Sequence, residues 1–409
     1  MSVWTDRISQ WLTLRRLRAQ AILLALCLWG VCAIDFATPG PLDRAGNIEF
    51  QDLLPFYISA HLIAAHRAAE LYDLGTMQRE MQSIVEQSTR VRLTYLYPPH
   101  TALCFMPLTK FSFAAAARIW AALSLVIYFA CIYAIWKKSA SLRSHAAMVA
   151  LASLAYPPLF HTFVRGQFSA VILACFTLAF LALHADRPFL AGVALGCLAL
   201  KPSFLVAIPL ILLLAAAWKI LGGLLISAAS QAALARLCFG AEVTRDYVDM
   251  LMHPSQWLGT AELNYAAIQM HSLRAFWSLL VPSRTLALAL YLLSSIAAIA
   301  LAALIWKSSQ PLQLRFAALI LVLVLVNPHL FIYDLLVLAP ALLLVLDCTL
   351  THSPHSISAP LPVLCYLAFI LPLFGPVARW THVQLSVIAF ALLLWTLRRL
   401  QATPTHQPA

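Results

Sequence analysis

The feature that most constrains this chain is the recurrence of long apolar stretches with almost nothing charged inside them. Candidate spans lie near 18–35, 113–136, 145–161, 168–185, 189–200, 203–217, 219–239, 283–306, 312–327, 331–348, 359–377 and 382–398. A bilayer core takes about 20 residues of apolar helix. Backbone inside it must satisfy its own polar groups, and segments of this length do so as helices. The expectation is an all-α, polytopic integral membrane protein with about 10–12 transmembrane helices. The pieces 189–200 and 203–217 are short and meet at Lys201-Pro202, which predicts a broken or re-entrant pair.

Composition agrees by exclusion. Of 409 residues, 62% are hydrophobic and 11% are charged, where an ordinary soluble protein is about 25% charged. So few charges cannot cover a soluble globule of this size. A soluble enzyme, a disordered chain and a nucleic-acid binder are excluded. The nine cysteines fall mostly in apolar runs, with no C-x-x-C pair, and read as small apolar filler. His100, His161, His253 and His271 lack an i, i+4 partner of metal-ligand type. No cofactor is expected, and a divalent cation is unsupported.

Charge placement gives the orientation. With the N-terminus inside, the inner face carries 13 basic and 3 acidic groups, and the outer face 14 and 13. Lys and Arg collect on the cytoplasmic side, so both termini are expected there, in a plasma (inner) membrane. A signal peptide cleaved near Ala33 is the alternative for the first run. It is disfavoured because the rest of the chain already needs a membrane. The expected organisation is one transmembrane domain over 1–400 and a polar tail over 401–409. Two large outer loops, about 36–112 and 240–282, are where function should sit.

In the first loop, Leu54, Ile58, Leu62 and Ala65 recur at helical spacing between Leu53 and Ala69. This predicts an amphipathic juxtamembrane helix on the outer face. Asp52 stands at its N-cap position and Pro55 in its first turn.

Five polar clusters fall on the outer side: Asp52 with Tyr57 and His61; Tyr97-Pro98-Pro99-His100; Arg165-Gly166-Gln167; Lys201-Pro202; and Asn327-Pro328-His329 with Tyr333-Asp334. Polar groups at membrane depth are costly and tend to be functional. The combination suits transfer from an anionic lipid donor. A phosphate leaving group needs cations and donors where charge develops, which Arg165, Lys201 and His329 can supply. An attacking hydroxyl needs a general base, a role that suits Asp52. In the second loop Trp257, Asn264, His271 and Trp277 are candidates to line a sugar pocket.

Each has a plainer reading. Asp52 serves as a helix cap, Asp73 as a turn residue. Arg165 meets headgroups, Lys201 snorkels, and His329 caps a helix. Asp334 makes a structural hydrogen bond. Gly192 and Gly196 permit close helix packing, and interfacial aromatics are common in any membrane protein.

Read in order, the landmarks are Phe50-Gln51-Asp52-Leu53-Leu54-Pro55-Phe56-Tyr57, Leu71-Tyr72-Asp73, Tyr97-Pro98-Pro99 with Met106-Pro107-Leu108, Arg165-Gly166-Gln167-Phe168-Ser169, Ala191-Gly192 before Lys201-Pro202, and Asn327-Pro328-His329 with Tyr333-Asp334. Over about 35–345 the chain resembles the family-87 glycosyltransferases of the GT-C class. The resemblance implies a GT-C-type fold and a polyprenyl-phosphate-linked sugar donor, often mannose. It implies inverting transfer at the outer face to a glycan or glycolipid acceptor. It also implies that the first-loop aspartate is the base, which falls on Asp52; Asp35 and Asp43 are the alternatives. Tyr57, His61, Tyr97, Gln167, Asn264, His271 and Asn327 are the candidate substrate-pocket residues. Rival readings are a transporter or flippase of lipid-linked sugars, which calls for inverted repeats, and a non-enzymatic assembly factor.

Overall fold

The apolar runs fold as helices, and the polar clusters gather where those helices end. The computed structural model describes residues 12–38, 40–44, 46–86, 93–253, 267–351 and 360–400. The helices are α1 (Leu14–Phe36), α2 (Leu54–Ala64), α3 (Leu74–Ile84), α4 (Phe113–Lys138), α5 (Ala146–Leu154), α6 (Pro157–Arg165), α7 (Ser169–His184), α8 (Pro188–Gly196), α9 (Ile208–Leu214), α10 (Trp218–Met252), α11 (Leu273–Leu280), α12 (Arg284–Lys307), α13 (Leu312–Val326), α14 (Leu338–Thr351), α15 (Leu361–Ile370) and α16 (Leu385–Arg399). Tighter 3₁₀ turns, including Pro99–Lys110 and Ile332–Val337, connect some of them. Among the described residues there is no strand, only isolated bridges such as Met270 with Phe331.

Six helical stretches among the described residues are long and apolar enough to cross a membrane: α1, α4, α10, α12, Ile332–Thr351 and Leu361–Thr381. The stretch Ser141–Leu154, which contains α5, and α6 make a seventh if counted together, bent by 47°. The other expected spans are shorter helices, among them α7, α13, and the Pro188–Leu200 and Pro202–Leu214 pair broken at Lys201. The reason is visible in α13, where every residue from Phe316 to Val326 is buried. A helix that is apolar all round is a core element. The long helices carry the lipid-facing side chains, such as Leu26 on α1, Val126 on α4 and Leu293 on α12.

Glycine sets the closest packing. A Cβ at Gly192 would collide with the Ile220 carbonyl, and one at Gly223 with that of Phe189. The pair Gly192 and Gly196 therefore does bring α8 against α10, as small-residue spacing predicts. Gly240, at φ 83°, breaks α10 where the span was expected to end, yet helix resumes to Met252 inside what the sequence suggested was loop.

Polar contacts mark one end of the bundle. Asp347 accepts the backbone N–H of Ser141 and of Leu142, and Gln310 donates to the carbonyls of Leu397 and Leu400. Those segments all belong to the expected inner face. Asp334 begins the stretch that Asp347 ends, roughly 20 Å away at helical rise. The opposite end therefore holds Asp334 and the groups around it.

Two expectations about the first loop are corrected. Its helix is shorter, Leu54–Ala64, and it is not amphipathic: Leu54 to Ala60 and Leu62 are all buried. It is a core element threaded into the bundle rather than a surface helix. Asp52 is also not its N-cap. Leu53 occupies that position in αR geometry with no side-chain cap bond, so the carboxylate of Asp52 is directed elsewhere. Asp73, by contrast, caps α3 by accepting the Thr76 N–H at 2.6 Å.

Candidate active site

The site is built on the turn at Arg165-Gly166-Gln167. Helix α6 ends there because Gly166 takes a left-handed conformation, φ 70°, which costs a side-chain-bearing residue about 1–2 kcal/mol. Space also demands glycine, since a Cβ would stand 2.8 Å from that of Leu53. The turn can then lie flat on the Asp52 segment. The Asp52 N–H donates to the Arg165 carbonyl at 3.1 Å. The Trp120 indole N–H clamps the other side, donating to the carbonyls of Gly166 and Gln167 at 3.1 and 3.3 Å.

This docking orients the Asp52 carboxylate. Gln167 Nε2 donates to Oδ2 at 2.7 Å, Gln51 Nε2 to Oδ1 at 3.4 Å, and Arg165 Nη1 stands 3.8 Å from Oδ1. The Asp52 side chain is 14% exposed and that of Arg165 36%, so this pair is reachable from outside the bundle.

A second pair is nearly buried. The break between α8 and α9 places Lys201 in the interior, and Thr101 Oγ1 ties the 95–110 segment to it by donating to the Leu200 carbonyl. Lys201 Nζ meets Asp334 Oδ1 at 2.5 Å, with side-chain exposures of only 8% and 0%. The rings of Tyr97, Phe204 and Tyr333 surround Nζ with centroids 5.4–5.8 Å away, and buried cations favour such faces. Asp334 also accepts from Ser169 Oγ at Oδ1 (3.2 Å) and from the Phe331 N–H at Oδ2 (3.3 Å).

The third element is the turn after α13. Asn327 Oδ1 accepts the His329 N–H at 2.9 Å, and its amide reaches Ser203 Oγ at 3.4 Å. Arg274 donates to the Pro328 carbonyl. The His329 ring stands edge-on to Phe331. Burial, with Lys201 and Arg274 beside it, pushes His329 down to about 4. Near neutral pH it is therefore a neutral ring rather than a cation.

Tyr333 joins the parts, within electrostatic reach of Asp52, Asp334, Tyr97 and Arg165. Tyr97 stands likewise toward Lys201, Asp334 and Asp52. The structure thus brings Asp52, Arg165, Gln167, Lys201, Tyr97, Asn327 and His329 to one site. It leaves others out. Tyr57 gives its hydroxyl to the Phe111 carbonyl. His61 is exposed and stands edge-on to Tyr57 rather than reaching Asp52. His271 is a packing residue: its N–H donates to the Leu330 carbonyl. Its ring bonds Ser386 Oγ at 2.8 Å and lies against Gly375. Asn264 and Trp257 lie outside the described residues. Among the described residues no group of three or more His, Cys, Asp or Glu forms a metal site.

Beside Asp52 a cavity of about 220 Å³ is lined by Asp35, Asp43, Asn47, Glu49, Gln51 and Arg165, among others. Burial, then the charges of Asp35 and Asp43, raise the Glu49 carboxyl. A larger space of about 650 Å³ shares Phe36 and Glu49 with it and is mostly apolar, with Phe113, Ala117, Ala121 and Leu125 on its walls. Sequence reasoning missed the clamp by Trp120, which carries no motif. It also missed that Lys201 and Asp334 are one pair, although it singled out both residues.

The architecture is that of a multi-pass membrane protein with an acid–base site at one end of its bundle. Its sequence matches the model of glycosyltransferase family 87 over residues 95–328, more than half of the chain, and the protein belongs to that family. The match includes Tyr97, Arg165, Gln167, Lys201 and Asn327 and begins after Asp52. No curated protein and no solved structure matches the chain. The protein is accordingly a membrane glycosyltransferase.

Proposed function

We propose that this glycosyltransferase moves a hexose, with mannose the first choice, from a polyprenyl-phosphate donor to the hydroxyl of a glycan or glycolipid, with inversion. The reaction takes place at the outer face of the plasma membrane, with both termini cytoplasmic. The observation that carries this reading is the Asp52 carboxylate. It is held by side chains of Gln167, Gln51 and Arg165 and caps no helix, and two of those holders, Gln51 and Arg165, line a neighbouring cavity.

The acceptor hydroxyl enters the 220 Å³ cavity. Asp52 takes its proton as the oxygen attacks the anomeric carbon. The bond from that carbon to the phosphate oxygen breaks on the opposite side, and the electron pair leaves with the polyprenyl phosphate. Arg165, Lys201 and His329 receive that charge, an arrangement that lowers the barrier where charge develops. Arg165 offers a fork, Lys201 an ammonium shared with Asp334, and neutral His329 a ring N–H.

The test is transfer by the purified protein with a panel of polyprenyl-phosphate sugars, scored by release of the free lipid phosphate. Release with one donor, dependent on added acceptor, is expected. No release with any donor would overturn the reading in favour of lipid-linked sugar transport.

A further inference from the structure

The proposed donor site contains an acid that the transfer step does not use. Asp334 is fully buried, and its carboxylate is committed to Lys201, Ser169 and the Phe331 N–H. The Phe331 bond fixes the turn that presents His329. The Lys201 bond fixes the ammonium that would meet the donor phosphate.

Charge counting shows what this arrangement does. Asp52 balances Arg165, Asp334 balances Lys201, and His329 is neutral near pH 7. The two carboxylates thereby cancel Arg165 and Lys201 and leave Arg274, beside His329, as the attracting charge before substrate arrives. A donor phosphodiester carries one negative charge and the released phosphate monoester nearly two. In a buried site each extra charge interacts strongly with an uncompensated cation. A bare lysine there would hold the product more tightly than the donor and slow its departure.

Resting on the donor reading above, we infer that Asp334 is the counter-ion that tempers Lys201, fixing the ammonium in place while keeping the site from retaining the phosphate product. Asp334 acts through Lys201 and is a positioning residue. It makes the site discriminate less between one and two phosphate charges than an unpaired Lys201 would.

The experiment measures binding to the purified full-length protein in detergent, with farnesyl monophosphate as the product mimic and farnesol as its uncharged control. Asp334→Asn keeps the shape and removes the charge. It is expected to bind farnesyl monophosphate at least tenfold more tightly than the unaltered chain. Farnesol binding stays unchanged, and kcat falls by more than the KM for the donor. Unchanged or weaker farnesyl monophosphate binding by a folded Asp334→Asn protein overturns the inference and leaves Asp334 a structural residue.

Should that variant fail to fold, the unaltered protein answers the same question with farnesyl monophosphate and its methyl ester, which differ by one charge. A preference for the dianion of less than tenfold supports the inference, and a larger one overturns it. If the unaltered protein does not prefer farnesyl monophosphate over farnesol, the donor reading itself fails, and this inference with it.

Discussion

At one end of the bundle two acid–base pairs stand within electrostatic reach of the same tyrosine, Tyr333. Arg165 and Asp52 are 3.8 Å apart, open on one side, and loosely enough joined that Gln167 and Gln51 share the carboxylate. Lys201 and Asp334 are 2.5 Å apart, walled by three aromatic rings, and almost without exposure. The residue types are nearly the same; the surroundings differ. A carboxylate that keeps one side open can take a proton from a ligand. A fully buried acid whose hydrogen bonds are spoken for holds geometry and balances charge. On the proposed reaction the contrast separates the base from a supporting acid, which residue identity alone does not.

The comparison can be broken most decisively at Asp52. Asp52→Asn is expected to lower transfer by about 10²–10⁴, the usual worth of a general base, while thermal unfolding in detergent stays near that of the unaltered chain. Transfer within tenfold of normal would remove the reactive role from the open pair. The buried pair should behave in the opposite sense. Asp334→Leu strands a buried ammonium and is expected to destabilise the fold by about 3–5 kcal/mol. Adding Lys201→Met should return most of that loss. Thermal unfolding of the single and double variants checks this, and equal instability in both would contradict it.

The smallest expected effect is on pH. His329 is pushed down to about 4 in the folded chain, against about 6.5 when unfolded. Between those values the unfolded state binds more protons, so stability rises with pH. The stabilisation is complete above pH 6.5 and is lost as pH falls toward 4, in total on the order of 3 kcal/mol. His329→Gln should flatten that part of the profile, measured as unfolding midpoint from pH 7 to 4.5. A profile as steep as that of the unaltered chain would show that other groups carry the acid sensitivity.

Much of this was legible beforehand. Apolar runs located the helices, and Lys201-Pro202 marked the break in the pair that carries Lys201. The five polar clusters drew attention to Asp52, Arg165, Gln167, Lys201, Asn327 and His329, which do share one site. The misreadings have local causes. The Leu54–Ile58–Leu62 pattern looked amphipathic because the residues between are partly polar. Those residues, Tyr57 and Ser59 among them, are buried against other elements of the bundle. Asp52 followed by Pro55 had the look of a helix start, and a chain read alone offers a carboxylate there no other partner. His271 looked like a pocket residue in a functional loop but packs against Gly375 and Ser386.

The sequence by itself determined the class of fold and the set of reactive residue types. Hydropathy and charge are properties of short segments, and the membrane acts on each segment in turn. Which acid meets which base was decided only by tertiary structure. Gln167 reaches Asp52 across 115 residues, and Lys201 reaches Asp334 across 133. Those meetings depend on how the helices pack, on a glycine turn that lets Arg165 and Gln167 lie against Asp52, and on the burial that makes one pair open and the other closed. No local pattern encodes a distance between segments so far apart, and the division of labour proposed for Asp52 and Asp334 rests on that distance.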